Sequence, residues 1–222
     1  AAPQQPAIHS AGVRKLGTSD PVKVDDAFHI GSDTKAMTAV LCGVLIDRGL
    51  LSFETTIGEV LGAGYAMREE YRAVTLEQLL CHTSGLPGEL PGETWATFFP
   101  YDSSAGADRA RMVEEALGLA SLHSAGSEFA YSNMGYVVAA FLAERVTGKS
   151  WETMMEEELF VPLGMESAGF GPPARDGGDS TTVAAPWGHS PDPVDPAAVA
   201  ADNPLALGPA GTVHASLSDL EK

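Results

Sequence analysis

Two residues near the start of the chain have the types and the spacing that nucleophilic catalysis needs. Ser32 and Lys35 stand three positions apart, so on a helix they share one face and the amine can reach the hydroxyl. A serine hydroxyl is a weak nucleophile until a base takes its proton, and a lysine can serve when burial or nearby positive charge lowers its pKa. Taken alone, the pair fits a helix-capping serine and a solvated lysine better.

A second motif, far downstream, supplies two more groups of the same chemistry. Tyr131, Ser132 and Asn133 form the only Tyr-x-Asn sequence in the chain. A tyrosine held near a serine and a lysine can share their proton, and an asparagine amide can orient both the lysine and a substrate carbonyl. The alternative is a capping Ser132 or Asn133 beside a packed Tyr131. The presence of Ser32 and Lys35 favours the catalytic interpretation.

Helices are predicted to position both motifs. Ser32 begins the first helix, which Gly49 ends, and the second motif opens a longer helix from Ser132 to Thr147. Between them, Thr75 to Gln78 has the capping-box pattern and predicts a short helix. The apolar stripe of the first helix is predicted to consist of Met37, Val40, Leu41, Val44 and Leu45.

The remaining segments are predicted from the same signals. Ile8 to Val24 favours one or two short extended segments. Helices are expected from Asp108 to Leu119 and, capped by a serine, from Trp151 to Phe160. Residues 89–107 and 169–209 are rich in proline and glycine and are predicted as loops.

Composition and charge exclude several classes of function. The 222 residues carry a net charge of −17, which repels a phosphate backbone and makes nucleic-acid binding a poor hypothesis. The longest apolar stretch, Met37 to Ile46, is half of what a bilayer span needs, so no membrane span is predicted. The histidines lack the paired spacing of a zinc site, and no metal is predicted. Cys42 and Cys81 are predicted as packed thiols rather than as a disulfide.

The end of the chain carries a helix start signal without a stop signal. Ser216 to Asp219 has the capping-box pattern, yet the sequence stops at Lys222. We therefore expect the natural chain to continue. The strands predicted near the N-terminus indicate the same, because they need partners to form a stable sheet. The first residues lack an initiating methionine, which fits either a mature end or a fragment.

Several stretches, taken in order, resemble one family. Phe28 to Ala39 is similar to the nucleophile region of the β-lactamase-related serine hydrolases, which include class C β-lactamases, D-Ala-D-Ala carboxypeptidases and β-lactamase-like carboxylesterases. Five further stretches look like later landmarks of this group, so the resemblance spans nearly the whole chain. They are Leu79 to Pro87, Phe129 to Tyr136, Glu144 to Ser150, Phe160 to Met165 and Gly208 to Val213.

The resemblance implies an α+β fold of the β-lactamase/transpeptidase type, with an antiparallel sheet, flanking helices and a helical subdomain. Residues 1–222 are then expected to form a single catalytic domain whose sheet is incomplete. Residues 1–55 and 208–222 form its sheet-and-helix part, and residues 56–207 form the mainly helical subdomain.

The resemblance also implies a role for each site residue. Ser32 is similar to the acylated nucleophile, Lys35 to its activating base, Tyr131 to the second proton carrier and Asn133 to the substrate-orienting amide. No metal or organic cofactor is implied. The implied substrate is a small molecule or peptide whose amide, β-lactam or ester carbonyl is hydrolysed through an acyl-enzyme. A periplasmic or secreted location is favoured, a cytoplasmic one stays open, and so does the oligomeric state.

One departure from the family pattern supports an alternative function. The family has a third motif, a basic or His residue followed by Ser/Thr and Gly on an edge strand, which supplies an oxyanion donor. The sequence ends before it, and His214 to Ser216 is no substitute because it follows a Gly-rich segment and leads into a helix start. Losing one oxyanion donor lowers a rate on the order of 100- to 1000-fold. The alternative is a non-catalytic homologue or a truncated binding module.

Three weaker candidates complete the prediction. His82 favours a hydrogen-bonded histidine at a helix end over a catalytic base. Trp187 to His189 faces the site or braces a loop, and the brace is favoured. A set of aromatic residues lines an acyl or lactam pocket or packs under its own loop, and the sequence does not separate the two. These aromatic residues are Trp95, Phe98, Phe99 and Tyr101.

Overall fold

The structure, a computed structural model, combines helices with short antiparallel strands. It describes residues 7–99, 104–174 and 183–222. In chain order the elements are β1 Phe28–His29, α1 Thr34–Asp47, α2 Ile57–Leu61, α3 Leu76–Leu80, α4 Gly92–Ala96, α5 Ala105–Gly118, α6 Asn133–Thr147, α7 Trp151–Met155, α8 Val161–Leu163, β2 Gly169–Phe170, β3 Gly188–His189, β4 Pro193–Val194, α9 Gly208–Gly211, β5 Val213–Ala215 and α10 Leu217–Leu220.

Three of these strands form an antiparallel sheet beside the nucleophile region. β5 lies between β1 and β2, with Phe28 opposite Ala215 and Phe170 opposite Val213. β1, the strand nearest the N-terminus, therefore pairs with one strand, β5, and lies at an edge of this sheet. The predicted α+β class is confirmed.

The N-terminal segment differs from its prediction. Ile8 to Val24, all of it described, holds only an isolated bridge between Val13 and Pro21, and the strand comes later as β1. Two glycines at positive φ interrupt the extended backbone. An ion pair between Arg14 and Asp26 holds the segment instead.

Helix α6 lies at the centre of the hydrophobic core. Every residue from Met134 to Ala143 is buried, the pattern of a helix that is apolar on all sides rather than amphipathic. The helix contacts α1, α3, α5 and α9. This packing fixes the position of α6 relative to α1. None of the described helices is long and apolar enough to cross a membrane.

Helix α1 buries a face that the hydrophobic pattern predicted only in part. Val40, placed in the predicted stripe, is 55% exposed. The buried face begins with polar side chains, which an apolar pattern cannot identify, and it is rotated away from Val40. Its members are Thr34, Lys35, Thr38, Leu41, Cys42 and Leu45.

Capping side chains define the helix starts, with one departure from prediction. Thr75 and Gln78 form the predicted capping box of α3. Ser216 caps α10, but the Asp219 carboxylate accepts hydrogen bonds from the amide and hydroxyl of Ser167. The Ser216 amide in turn donates to the Ser167 hydroxyl at 2.8 Å. Ser167 thus takes the place of the second half of a capping box.

The loop predicted over residues 89–107 contains α4 and the first turn of α5. α5 starts at Ala105, three positions before the predicted Asp108, because the Ser104 hydroxyl accepts a hydrogen bond from the Ala107 amide at 3.2 Å. The pattern missed this start because the first turn contains no large apolar residue.

The helix predicted from Trp151 to Phe160 is longer than expected. It passes from α7 through the π-helical turn Glu156–Phe160 into α8, and Gly164 ends it at a φ of 65°. Pro162 is the second residue of α8, and the helical backbone continues through it to Leu163.

The loop predicted over residues 169–209 contains β2, β3, β4 and the start of α9. Strands of two residues have no period that a sequence can reveal. β2 falls inside the range predicted for the helical subdomain, although it pairs with β5. His214, which in the sequence follows a Gly-rich segment and leads into a helix start, belongs to β5.

Candidate active site

The candidate nucleophile lies at the junction between the sheet and α1. Ser32 sits in the 3-10 turn Gly31–Asp33, immediately after β1, and is exposed. The Ile30 amide donates to the Val213 carbonyl at 2.9 Å, which fastens the turn to β5. Gly31 adopts a φ of 53°, a left-handed conformation that glycine accepts without steric strain. The serine is thus presented to solvent from a backbone that the sheet holds.

Lys35 lies beneath the serine on the first turn of α1. Its side chain is buried, with 5% of the residue exposed. The Nζ atom donates to Ser32 Oγ at 3.1 Å and to the Ala210 carbonyl at 2.6 Å. The amine is thus within proton-transfer distance of the serine hydroxyl.

Tyr131 approaches the same hydroxyl from the other side. Its phenol donates to Ser32 Oγ at 2.8 Å, although the two residues are 99 positions apart. Its ring centroid lies 4.8 Å from Lys35 Nζ, and the residue is 46% exposed. The side chains of two separate motifs therefore meet at one point: Ser32 and Lys35 from the first motif and Tyr131 from the second.

Asn133 is the first residue of α6, two positions after the tyrosine. Its backbone amide donates to the Gly88 carbonyl at 3.0 Å, and its side chain is half-buried. Ser132, not Asn133, is the capping residue, because its hydroxyl accepts from the Gly135 amide at 3.0 Å. The role of the Asn133 amide toward a substrate stays a prediction.

Side-chain hydrogen bonds join α1 to α9 and β5, and the sequence did not predict them. The Thr34 hydroxyl accepts from the Val213 amide at 3.1 Å, and the Thr38 hydroxyl donates to the Pro209 carbonyl at 2.8 Å. With the bond from Lys35 to Ala210, three side chains of one helix face reach three neighbouring backbone groups. We call this set of contacts the α1 clasp. The resemblance at 208–213 was the one sequence signal that could have indicated it.

Buried groups around the site are shifted in their ionisation. Burial raises the pKa of the Cys42 thiol, on the core side of α1, to about 12. Burial also raises the pKa of Tyr136, whose hydroxyl donates to the Leu80 carbonyl at 2.9 Å. For His82, burial first and the Lys35 charge second lower the pKa. The surroundings of the site thus favour neutral forms of these groups.

His82 fits the hydrogen-bonded interpretation made from the sequence. Its Nδ1 atom accepts a hydrogen bond from the Ser132 amide at 3.1 Å. Its ring lies 4.5 Å from the Tyr131 ring, measured between centroids. The sequence placed it at a helix end but gave no sign that it contacts the tyrosine segment.

The described members of the two aromatic sets make packing contacts. Phe98 is buried in the core and Trp95 packs against it, so these two fit the packing interpretation; Tyr101 falls outside the described residues. Trp187 supports the predicted brace, because its amide donates to the Arg14 carbonyl at 2.9 Å and Lys15 Nζ lies 3.5 Å from its ring centroid.

The two cysteines are both free thiols. Cys42 is buried as predicted, whereas Cys81 is exposed because it ends α3 rather than continuing its apolar face. Neither sulfur is part of the constellation at Ser32.

Fold and site together combine a Ser-x-x-Lys helix start beside an antiparallel sheet with a tyrosine that precedes a core helix. The chain belongs to the beta-lactamase family, whose family model matches residues 4–222.

Individual relatives carry different names. The chain is 33% identical over 161 residues to penicillin-binding protein 4 of Amycolatopsis lactamdurans, a match that covers 72% of this chain and 40% of the relative. It is 27% identical over 183 residues to lovastatin esterase of Penicillium rubens, covering 75% of this chain and 46% of the relative. The chain thus spans less than half the length of either relative.

A solved structure confirms the type of fold. The penicillin binding protein from Bacillus halodurans superposes with a TM-score of 0.73 at 23% identity, covering 96% of this chain and 62% of that one. At this identity the likeness concerns the fold alone, and it bears out the expected β-lactamase/transpeptidase architecture.

Proposed function

We propose that the chain carries the nucleophile half of a serine hydrolase site, in which Ser32 forms an acyl-enzyme with an amide, β-lactam or ester carbonyl. One observation carries the proposal: Ser32 Oγ lies 3.1 Å from Lys35 Nζ and 2.8 Å from the Tyr131 hydroxyl. A serine becomes an effective nucleophile when a positioned group takes its proton, and here two such groups are in reach.

The reaction follows from these positions. Ser32 Oγ attacks the carbonyl carbon and its proton passes to Lys35 or Tyr131. The same pair then returns the proton to the leaving amine or alcohol as the bond to the carbonyl carbon breaks. Water hydrolyses the acyl-serine ester in a second step and releases the acid. The Ser32 amide, at the start of α1, can donate to the developing oxyanion.

Asn133 is proposed to orient the substrate. A carboxamide both donates and accepts, so it can bind a substrate carbonyl while facing the lysine. Its place two residues after Tyr131, at the start of a core helix, supports this role because α6 is packed on several sides. The proposed substrates are small molecules or peptides, in keeping with the names of the relatives.

The nucleophile is tested by covalent labelling. A fluorophosphonate or a fluorescent penicillin is expected to label the protein on Ser32, identified by peptide mass spectrometry. Ser32→Ala should lose the label, whereas Ser124→Ala, a change at an exposed serine, should keep it. Equal labelling of Ser32→Ala and the unchanged protein contradicts the proposal.

The substrate class is tested by turnover. The chain and its Ser32→Ala variant are assayed with a nitrophenyl ester, a chromogenic cephalosporin and a peptide ending in D-Ala-D-Ala. Turnover that disappears in Ser32→Ala identifies the bond that the site cleaves. Label on Ser32 without turnover of any of the three points instead to the non-catalytic alternative.

A further inference from the structure

His82 is held in a backbone conformation that its residue type does not favour. It is the one non-glycine residue with positive φ among the described residues, at 59°. It lies just beyond Cys81, the residue that ends α3. Its backbone amide donates to the Leu79 carbonyl at 3.4 Å, and the Thr83 amide donates to the Gln78 carbonyl at 2.9 Å. Helices that end with this bond pattern usually have glycine at the left-handed position. A histidine there indicates that its side chain has a task.

Three contacts of His82 converge on Tyr131 from both sides along the chain. The Ala130 amide donates to the His82 carbonyl at 2.9 Å, and the Ser132 amide donates to its Nδ1 atom at 3.1 Å. Between these two bonds, the imidazole lies 4.5 Å from the Tyr131 ring at an interplanar angle of 34°. The residues before and after the tyrosine and the tyrosine ring itself are thus bound to a single residue.

Resting on the proposed function, we propose that His82 is a positioning residue that holds the Tyr131 hydroxyl on Ser32 Oγ by accepting the Ser132 amide hydrogen in its neutral form. The hydrogen bond requires an unprotonated Nδ1, so the ring proton resides on Nε2. The tyrosine is 46% exposed, and solvent does not hold a side chain in one place. The hydrogen bond to His82 therefore holds the backbone that carries the tyrosine.

Protonation of His82 releases the contact. A proton on Nδ1 faces the Ser132 amide hydrogen and breaks the bond between them. The ionisable groups near the ring are Lys35 on α1, Tyr131 and Tyr136 at α6, and the adjacent Cys81. Burial and the Lys35 charge lower the pKa of His82 below the ordinary value of about 6.5. The hydrogen bond is present when the pH is above this lowered pKa, and it is lost as the pH falls through it.

Two variants separate the hydrogen bond from the backbone conformation. His82→Asn and His82→Gly both accept positive φ, but only asparagine offers a side-chain oxygen to the Ser132 amide. We expect His82→Gly to lower the maximal rate constant of Ser32 labelling by a fluorophosphonate about 10- to 100-fold, as when a proton carrier is misplaced. The half-saturating probe concentration should stay within about threefold, and His82→Asn should stay within about threefold of the unchanged protein.

The Tyr131→Phe background supplies a second readout. If His82 acts through the Tyr131 hydroxyl, His82→Gly should lower the labelling rate by less than about twofold once that hydroxyl is gone, since coupled residues are not additive. A variant that merely folds poorly lowers the fraction of labelled protein rather than the rate constant, so the two effects are measured separately.

Hydrogen exchange of the Ser132 amide tests the contact without relying on activity. Protection is expected in the unchanged protein and in His82→Asn, and loss of protection in His82→Gly. His82→Gly labelling at the full rate, or His82→Asn as slow as His82→Gly, overturns the inference while leaving Ser32 as the nucleophile. Absence of label on Ser32 in the unchanged protein overturns the proposed function instead, and the exchange measurement still decides whether His82 holds the tyrosine segment.

Discussion

The two groups that flank the Ser32 hydroxyl are held by different kinds of structure. Lys35 is buried, stands on a core helix and belongs to the α1 clasp. Tyr131 is half exposed and stands on the segment before α6, where its ring contacts His82 and the next residue, Ser132, donates a hydrogen bond to His82. The position of the lysine is therefore tied to the stability of the whole fold, whereas that of the tyrosine depends on a few local contacts.

The largest effect is expected from removing the lysine amine. Lys35→Met keeps an unbranched side chain but removes the amine that contacts Ser32, and it leaves the buried Ala210 carbonyl without this donor. Labelling of Ser32 should slow by about 10⁴-fold, the upper end for a lost proton carrier. The free energy of unfolding should fall by about 1–3 kcal/mol, measured by urea denaturation. Normal labelling with reduced stability would falsify the catalytic role of Lys35 and leave it as a structural residue.

A smaller and purely kinetic effect is expected on the other side. Tyr131→Phe removes the hydroxyl that donates to Ser32, and labelling should slow by about 100-fold. Because that hydroxyl is on an exposed residue, the free energy of unfolding should change by less than about 0.5 kcal/mol.

Tyr71→Phe is the matched control for this change. The Tyr71 side chain is buried, and its hydroxyl has no hydrogen-bond partner among the described residues. Losing it should leave the labelling rate unchanged. Should Tyr131→Phe prove as destabilising as Lys35→Met, the contrast between the two sides of the site is wrong.

Thr38→Val tests the α1 clasp away from the reacting atoms. Its hydroxyl donates to the Pro209 carbonyl at 2.8 Å and accepts from Trp151 Nε1 at 3.2 Å, all in the core. Valine leaves both groups unpaired, so the free energy of unfolding should fall by about 1–3 kcal/mol. The labelling rate of the folded protein should fall only a few-fold, because Lys35 keeps its own bond to Ala210. A loss as large as that in Lys35→Met would show that the clasp acts as one unit.

The smallest effect concerns the two thiols. At pH 8 iodoacetamide should modify the exposed Cys81 but not Cys42, because burial raises the pKa of Cys42 to about 12. Mass spectrometry should therefore find one modification in the native protein and two in urea. In Thr38→Val, Cys42 should react faster than in the unchanged protein if the clasp keeps α1 closed against the core. Unchanged protection of Cys42 would confine the clasp to the first turn of the helix.

The sequence predicted the contents of the site better than its support. Ser32, Lys35 and Tyr131 were recognisable because residue type and spacing alone define their chemistry, and the capping pattern at Thr75 defined α3. The Ala210 carbonyl was not recognisable, because any residue supplies a backbone carbonyl. His82 was expected to be hydrogen-bonded, but its partner lies fifty positions away, beyond the reach of local signals.

The fold was predictable to the same extent. The capped helices α3 and α7 were found, since a cap is a local signal. The capping box of Thr56 and Glu59 at α2 and the cap of Ser104 at α5 were missed. The strands were misplaced because each is only two or three residues long, too short to show alternation, and is defined by its partners. Extension of the helix beyond Phe160 was hidden because a π-helical turn changes the spacing on which the prediction depends.

The α1 clasp also bears on how this site tolerates mutation. Its acceptors at positions 209 and 210 are backbone carbonyls. Every amino acid has such a carbonyl, so no single substitution at these positions removes it. What a substitution can change is the path of the backbone. The position of the proposed base, Lys35, therefore depends on the backbone path through residues 209 and 210 rather than on the identity of a partner side chain. Substitution should be limited at Gly208, where an added Cβ would lie 3.1 Å from the Trp151 ring.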